Sequence, residues 1–298
     1  MKGVQYYRRF IYENVVNVLD AHDMTGPPRN DKGEVIDTNV ERKNKEYMTQ
    51  NSSEIEWREL EFKPNEKNIS DSTAGISRVM WVPENVRDLK DIDTIGSGDV
   101  EGDGTDALAW YQSFHFYPND WGIYILDRGI YHLVKNYLCH VYDVPITDMM
   151  CEGLKFLFNH EFFHYITDMA AFTLESLNDF RSPYHKDYYI NEYLNNKSKT
   201  THHPLEEALA NAHANFRILN KEFRTELKRF MNIQPRGYKD YKIYWNNFQR
   251  GKRKLASLIS NTDSTFPIEN IFDCNQINLS YKMVPVKIVY TISKNKVS

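Results

Sequence analysis

The chain is predicted to adopt an α+β fold, and three observations carry that expectation. Runs rich in β-branched and aromatic residues at 75–86, at 107–126 and in the tail read as strands. Longer runs with apolar residues at helical spacing fill 127–180 and 204–230. The two kinds of run differ in period, and neither dominates the 298 residues.

Residues 4–20 place Val4, Tyr7, Phe10, Ile11, Val15 and Val18 at helical spacing. Asp20 to Ser70 is polar and turn-rich, with "GPPRNDKGE" as a breaker. "GISRVMWVPENV" at 75–86 predicts a short strand stopped by Pro83. "DTIGSGDVEGDGTD" at 93–106 has no period and misses the calcium-loop spacing, so a solvated boundary loop is expected. "ALAWYQSFHFYPNDWGIYIL" at 107–126 predicts strand, turn, strand. Asp127 is placed to cap an amphipathic helix that runs through Val141 to a stop at Pro145.

The longest helix is expected over 147–180, with Thr147 or Asp148 as its cap. A Tyr-rich polar connection covers 181–203. Pro204 suits the first turn of a further helix reaching about Phe230. Residues 238–260 are expected to be helical and basic, and "YKMVPVKIVYTI" reads as one or two strands. Three segments follow: an N-terminal region at 1–104, a core at 105–234 and a basic extension at 235–298.

Composition bounds the rest. A formal charge of −4 leaves no global basic field for nucleic acid. Three scattered cysteines do not make a disulfide framework and fit a reducing, cytoplasmic setting. No run approaches the roughly 18 apolar residues of a membrane span. The composition leaves the oligomeric state open.

The chemistry concentrates in "NHEFFHYITD", 159–168. Residues four apart on a helix share a face, so His160 and His164 can reach one metal ion. Glu161 points to the side, where its carboxylate can act on a water without ligating the metal. This is the zinc-hydrolase spacing, with Glu161 as general base. A third ligand is sought in "THHPLEEALANAHANF", 201–216. With His203 as cap, Glu206 falls at the third helical position and can bond back to the cap. Glu207 shares a stripe with Ala210, Asn211 and Ala214, opposite Leu205, Leu209, Ala212, Phe216 and Leu219. Glu207 is therefore the expected ligand, with Glu206 the alternative.

"HEFFHYITD" and "EALAN" (207–211) together resemble the gluzincin branch of the zincin metallopeptidases, whose thermolysin-like members carry His-Glu-x-x-His-x-x-Thr-Asp and Glu-Ala-x-Ser-Asp. The resemblance covers about 150–215. It implies a zincin-like domain, with the active-site helix and the Glu-bearing helix packed under a small sheet. It implies zinc on His160, His164 and Glu207, with Asp168 and Asn211 supporting the ligands from behind. It implies a peptide or protein substrate, bound as an added strand along "WYQSFHFY". The family's downstream histidine has no counterpart in this sequence. Candidates for the group that stabilises the oxyanion are His115, Tyr117, Tyr189, Tyr193 and His203.

Two other readings compete. Segment 221–254 carries eleven basic residues against three acidic ones, interleaved with aromatics, and could engage phosphates, nucleic acid or an acidic partner. In that case zinc would be structural or absent. A cysteine hydrolase built on Cys139 or Cys151 lacks a nucleophile context.

Overall fold

A computed structural model describes residues 10–11, 18–19, 79–84, 97–178, 184–185, 203–260 and 284–291. It is an α+β protein with a four-stranded mixed sheet. The strands are β1 (Val79–Glu84), β2 (Ala109–Gln112), β3 (Gly122–Leu126) and β4 (Val286–Thr291). Their order is β1-β4-β3-β2, with β4 parallel to both β1 and β3, and β2 antiparallel to β3. The tail strand thus lies inside the sheet, and the sheet draws on all three sequence segments.

The expected hairpin is present. Trp110 is opposite Tyr124, and Tyr111 is opposite Ile123. Side chains alternate as a pleat requires. Ile123, Ile125, Val286 and Ile288 enter the main core, while Tyr124, Leu126 and Val289 form a second cluster under Trp110. Pro83 does not stop β1, as expected from the sequence, but lies within it opposite Tyr290. β1 is an outer strand, where a residue without an N–H is tolerated.

Seven helices are described. Those named first are α1 (Ser97–Asp103), α2 (Asp127–Asn136) and α3 (Ile146–Asn178). α4 (His203–Arg217), α5 (Lys221–Ile233), α6 (Tyr241–Tyr244) and α7 (Phe248–Ser260) follow. At 1.5 Å per residue α3 is about 50 Å long. It is apolar on every side at its centre, and Phe156, Phe158, Phe162 and Phe163 are all buried. A helix of that kind needs cover all round. α4, α2, β2 and β3 supply it.

Four expectations need correction. The Gly- and Asp-rich stretch at 93–106 is not simply a solvated loop: it forms α1 and a 3₁₀ turn, Gly104–Ala107, with Val100 and Thr105 buried. The single helix expected over 204–230 is two, because Asn220 starts α5 by accepting from the N–H groups of Glu222 and Phe223. Leu219, expected in the core stripe, falls in the break and is exposed. Residues 238–260 likewise divide into a 3₁₀ turn, α6 and α7.

Two helices start earlier than expected. Leu126, not Asp127, caps α2, and Asp127 accepts from the Arg128 N–H inside the first turn. α3 begins at Ile146. Phe10, Ile11, Val18 and Leu19 are helical, as expected, while the other calls before 79 lie outside the described residues. Among the described residues, no helix is long and apolar enough to cross a membrane.

Candidate metal centre

α3 and α4 pack side by side and bring HEFFH against EALAN. His160 and His164 project from one face of α3, a turn apart, with their Nε2 atoms separated by 3.4 Å. Glu207 enters from α4. Its Oε2 lies 3.2 Å from His160 Nε2 and 3.5 Å from His164 Nε2. The three atoms make a nearly equilateral triangle. Ligands about 2.05 Å from a tetrahedral zinc are about 3.3 Å apart, so the donor set fits that ion closely. Two imidazoles and a carboxylate are also donors of the right hardness.

The surroundings treat the two histidines differently. Glu206, expected to bond back to the start of α4, reaches across to α3, and the residues immediately before His203 lie outside the described ones. Glu206 Oε1 lies 2.8 Å from His164 Nδ1, and Tyr184 Oη donates to the same oxygen at 3.4 Å. A carboxylate behind a ligand histidine sets its tautomer and leaves Nε2 free for the metal. Asn211, expected behind the histidines, sits in a buried network. Its amide donates to Gln234 Oε1 at 2.6 Å and to the Tyr238 carbonyl at 3.0 Å, and its oxygen accepts from Thr105 at 3.4 Å. It also favours the protonated form of His160, although His160 Nδ1 makes no hydrogen bond of ordinary geometry.

The charges are crowded. Burial holds His160 below its usual pKa, against the pull of Glu207. Burial opposes protonation of His164 too, but Glu207 and Glu206 outweigh it and hold its pKa well above the usual value. Glu161 is only 1% exposed, and neither carboxylate oxygen has a hydrogen bond of ordinary geometry. Burial raises its pKa well above the carboxylate range, reinforced by Asp106 and Glu207 and opposed by His164 and the Tyr111 backbone N–H.

Two participants escape a reading of the sequence. Asp106, in the 3₁₀ turn before β2, brings a carboxylate oxygen within 4.8 Å of donor atoms of His160 and Glu161. Tyr238, one of the aromatics of the basic segment, stacks its ring parallel to His160 at 6.0 Å and donates its hydroxyl to Asp106 at 2.9 Å. Burial, then Glu207, Asp106 and Glu161, keep that phenol protonated well beyond the usual range. Gly104 makes room for the ring. Its φ is +68°, and a Cβ there would stand 2.7 Å from Tyr238 Cζ. The only local signal was the Gly-Thr-Asp triplet itself.

The remaining candidates fall elsewhere. Asp168, expected behind His160 and His164, accepts instead from Tyr111 at 2.8 Å, Ser113 at 2.7 Å and His185 at 2.6 Å. His115 approaches the same carboxylate at 3.5 Å. Tyr117 lies in the turn after β2, where its N–H donates to the Ser113 carbonyl. His203 opens α4. Its side chain, like Tyr189 and Tyr193, lies outside the described residues.

Segment 221–254 turns much of its aromatic content inward. Tyr238 and Tyr241 are buried, and Trp245 stacks on Phe216 with Lys228 over its ring. Cys151 is buried, and burial pushes its thiol far up, against nucleophilic use; Cys139 is exposed. Comparison of the chain with protein-family models, with curated proteins and with solved structures finds no match.

Proposed function

We propose that this chain is a zincin-like, zinc-dependent peptidase of the gluzincin type that hydrolyses peptide bonds. The observation that carries the reading is the triangle of His160 Nε2, His164 Nε2 and Glu207 Oε2, with edges of 3.2 to 3.5 Å, beside a buried carboxylate that lacks a full hydrogen bond. His160, His164 and Glu207 would hold the ion. Zinc would supply a Lewis acid that polarises the scissile carbonyl and lowers the pKa of the attacking water.

The chain's own residues do the rest. Glu161 takes the proton of that water on its carboxylate and passes it to the leaving amine nitrogen as the peptide C–N bond breaks. Burial raises its pKa, which favours its holding the proton between the two transfers. The Tyr238 hydroxyl, kept neutral by burial and by its acidic neighbours, would turn from Asp106 to donate to the developing oxyanion. β2 is an outer strand packed against α3, so an extended peptide can pair with it.

Elemental analysis of the full chain tests the site first. Wild type should hold one zinc equivalent more than either His160→Ala or Glu207→Ala. Peptide digests should then show cleavage that Glu161→Gln abolishes. Equal zinc in all three proteins, or equal cleavage with Glu161→Gln, would sink the proposal.

A further inference from the structure

We propose that His115, Asp168 and His185 form a second divalent-metal site, separate from the His160–His164–Glu207 group. The three residues come from three segments: the loop after β2, the turn of α3 that follows His164, and the described pair Tyr184–His185. One donor atom from each lies within 4.8 Å of the others. Both imidazoles turn Nε2 toward Asp168 Oδ1, His185 at 2.6 Å and His115 at 3.5 Å. Asp168 is fully buried, and His115 Nε2 is buried without a hydrogen bond of ordinary geometry.

The outer contacts match those of a metal centre. His185 Nδ1 lies 2.9 Å from Glu175 Oε1, which orients the ring and commits Nε2 to the cluster. Asp168 Oδ2 accepts from the Tyr111 and Ser113 hydroxyls, which leaves Oδ1 for an ion. His164 and Glu206 show the same histidine–carboxylate pairing in the first group, at 2.8 Å.

A proton bridges the cluster when no metal does. Burial works against a charged His185, yet Asp168 and Glu175 outweigh it and raise its pKa. Burial keeps His115 below its usual value, so its ring stays neutral and offers a lone pair. A divalent ion would displace the Nε2 proton of His185. Seating it requires His185 and Asp168 to part by about 0.7 Å, since zinc ligands lie about 3.3 Å apart. Two imidazoles and one carboxylate select zinc and its neighbours over calcium or magnesium. The ion would fasten the loop after β2 to α3.

Zinc itself is the probe. Full-length protein stripped with a chelator is titrated with Zn²⁺ by calorimetry, and its melting is followed with and without zinc. Wild type should take two equivalents. His160→Ala/His164→Ala should keep one, and zinc should still raise its Tm. Adding His115→Ala to that background should weaken the remaining zinc by at least about 100-fold. Far-UV circular dichroism and a cooperative metal-free melt identify folded variants. His115→Phe, which keeps an aromatic ring against Phe114 and Phe172, serves if alanine does not fold.

A His160→Ala/His164→Ala protein that binds no zinc would overturn the proposal, as would zinc binding indifferent to both His115 and His185 substitutions. One wild-type equivalent lost only with His160→Ala would overturn this site and leave the peptidase centre standing. One lost only with His115→Ala would do the reverse.

Discussion

Glu206 Oε1 lies 2.8 Å from Nδ1 of His164, although Glu206 and Glu207 are adjacent on the same helix. One carboxylate therefore serves the back of an imidazole while its neighbour serves the front. Glu206→Gln keeps the shape and removes the charge. Zinc affinity is expected to fall about 10–100-fold, the usual cost of losing such a partner. Competition against a calibrated chelator measures it. Unchanged affinity would return Glu206 to a role at the helix start.

In the proposed mechanism Glu161 acts on the water and not on the ion. Glu161→Gln should keep the zinc stoichiometry of wild type while lowering peptide hydrolysis about 10²–10⁴-fold. Metal analysis and product quantification on the same preparation separate the two effects. Loss of zinc with this substitution would make Glu161 a ligand.

Tyr238 contributes a ring and a hydroxyl that can be tested apart. Tyr238→Phe retains the stack on His160 and deletes the O–H. An oxyanion role predicts a fall in kcat of about 10²–10³-fold with KM nearly constant. A purely structural role would lower Tm and leave kcat alone.

Gly104 tests the seat of that ring independently. Alanine there would combine φ +68° with a Cβ 2.7 Å from Tyr238 Cζ. Destabilisation of about 1–3 kcal/mol is expected, read from urea denaturation. An unchanged midpoint would mean that Tyr238 swings aside at no cost.

Asn220 carries the break between α4 and α5. Its side chain satisfies two N–H groups of the following turn. Asn220→Ala should cost about 1 kcal/mol and lower Tm by a few degrees. No change in zinc content should accompany it.

The local parts of this protein were legible, and the non-local parts were not. The spacing of His160, Glu161 and His164 is a helix property, and the phase of Glu207 on α4 follows from Pro204. The contact of Glu206 with His164 was not legible because capping considers only one helix, whereas His164 reaches it from another. His185 lies in a polar connection with no period to mark it. Asp106 and Tyr238 meet only because a glycine takes a left-handed turn beside a ring 134 positions later. The Asn220 cap was visible in the sequence, yet the apolar pattern ran on across it. The position of β4 is a matter of pairing partners, which composition does not specify.

That last placement orders events in time. β1 and β3 are both paired to β4, and β4 follows every other described element in the chain. During synthesis the helices of HEFFH and EALAN leave the ribosome well before residues 286–291. Until those residues emerge, β1 and β3 have no strand between them and present bare edges. Closing the sheet then requires pairings across most of the chain, which are slow to form. The last strand must therefore insert between two strands made long before it, and the sheet beside α3 is complete only when it does.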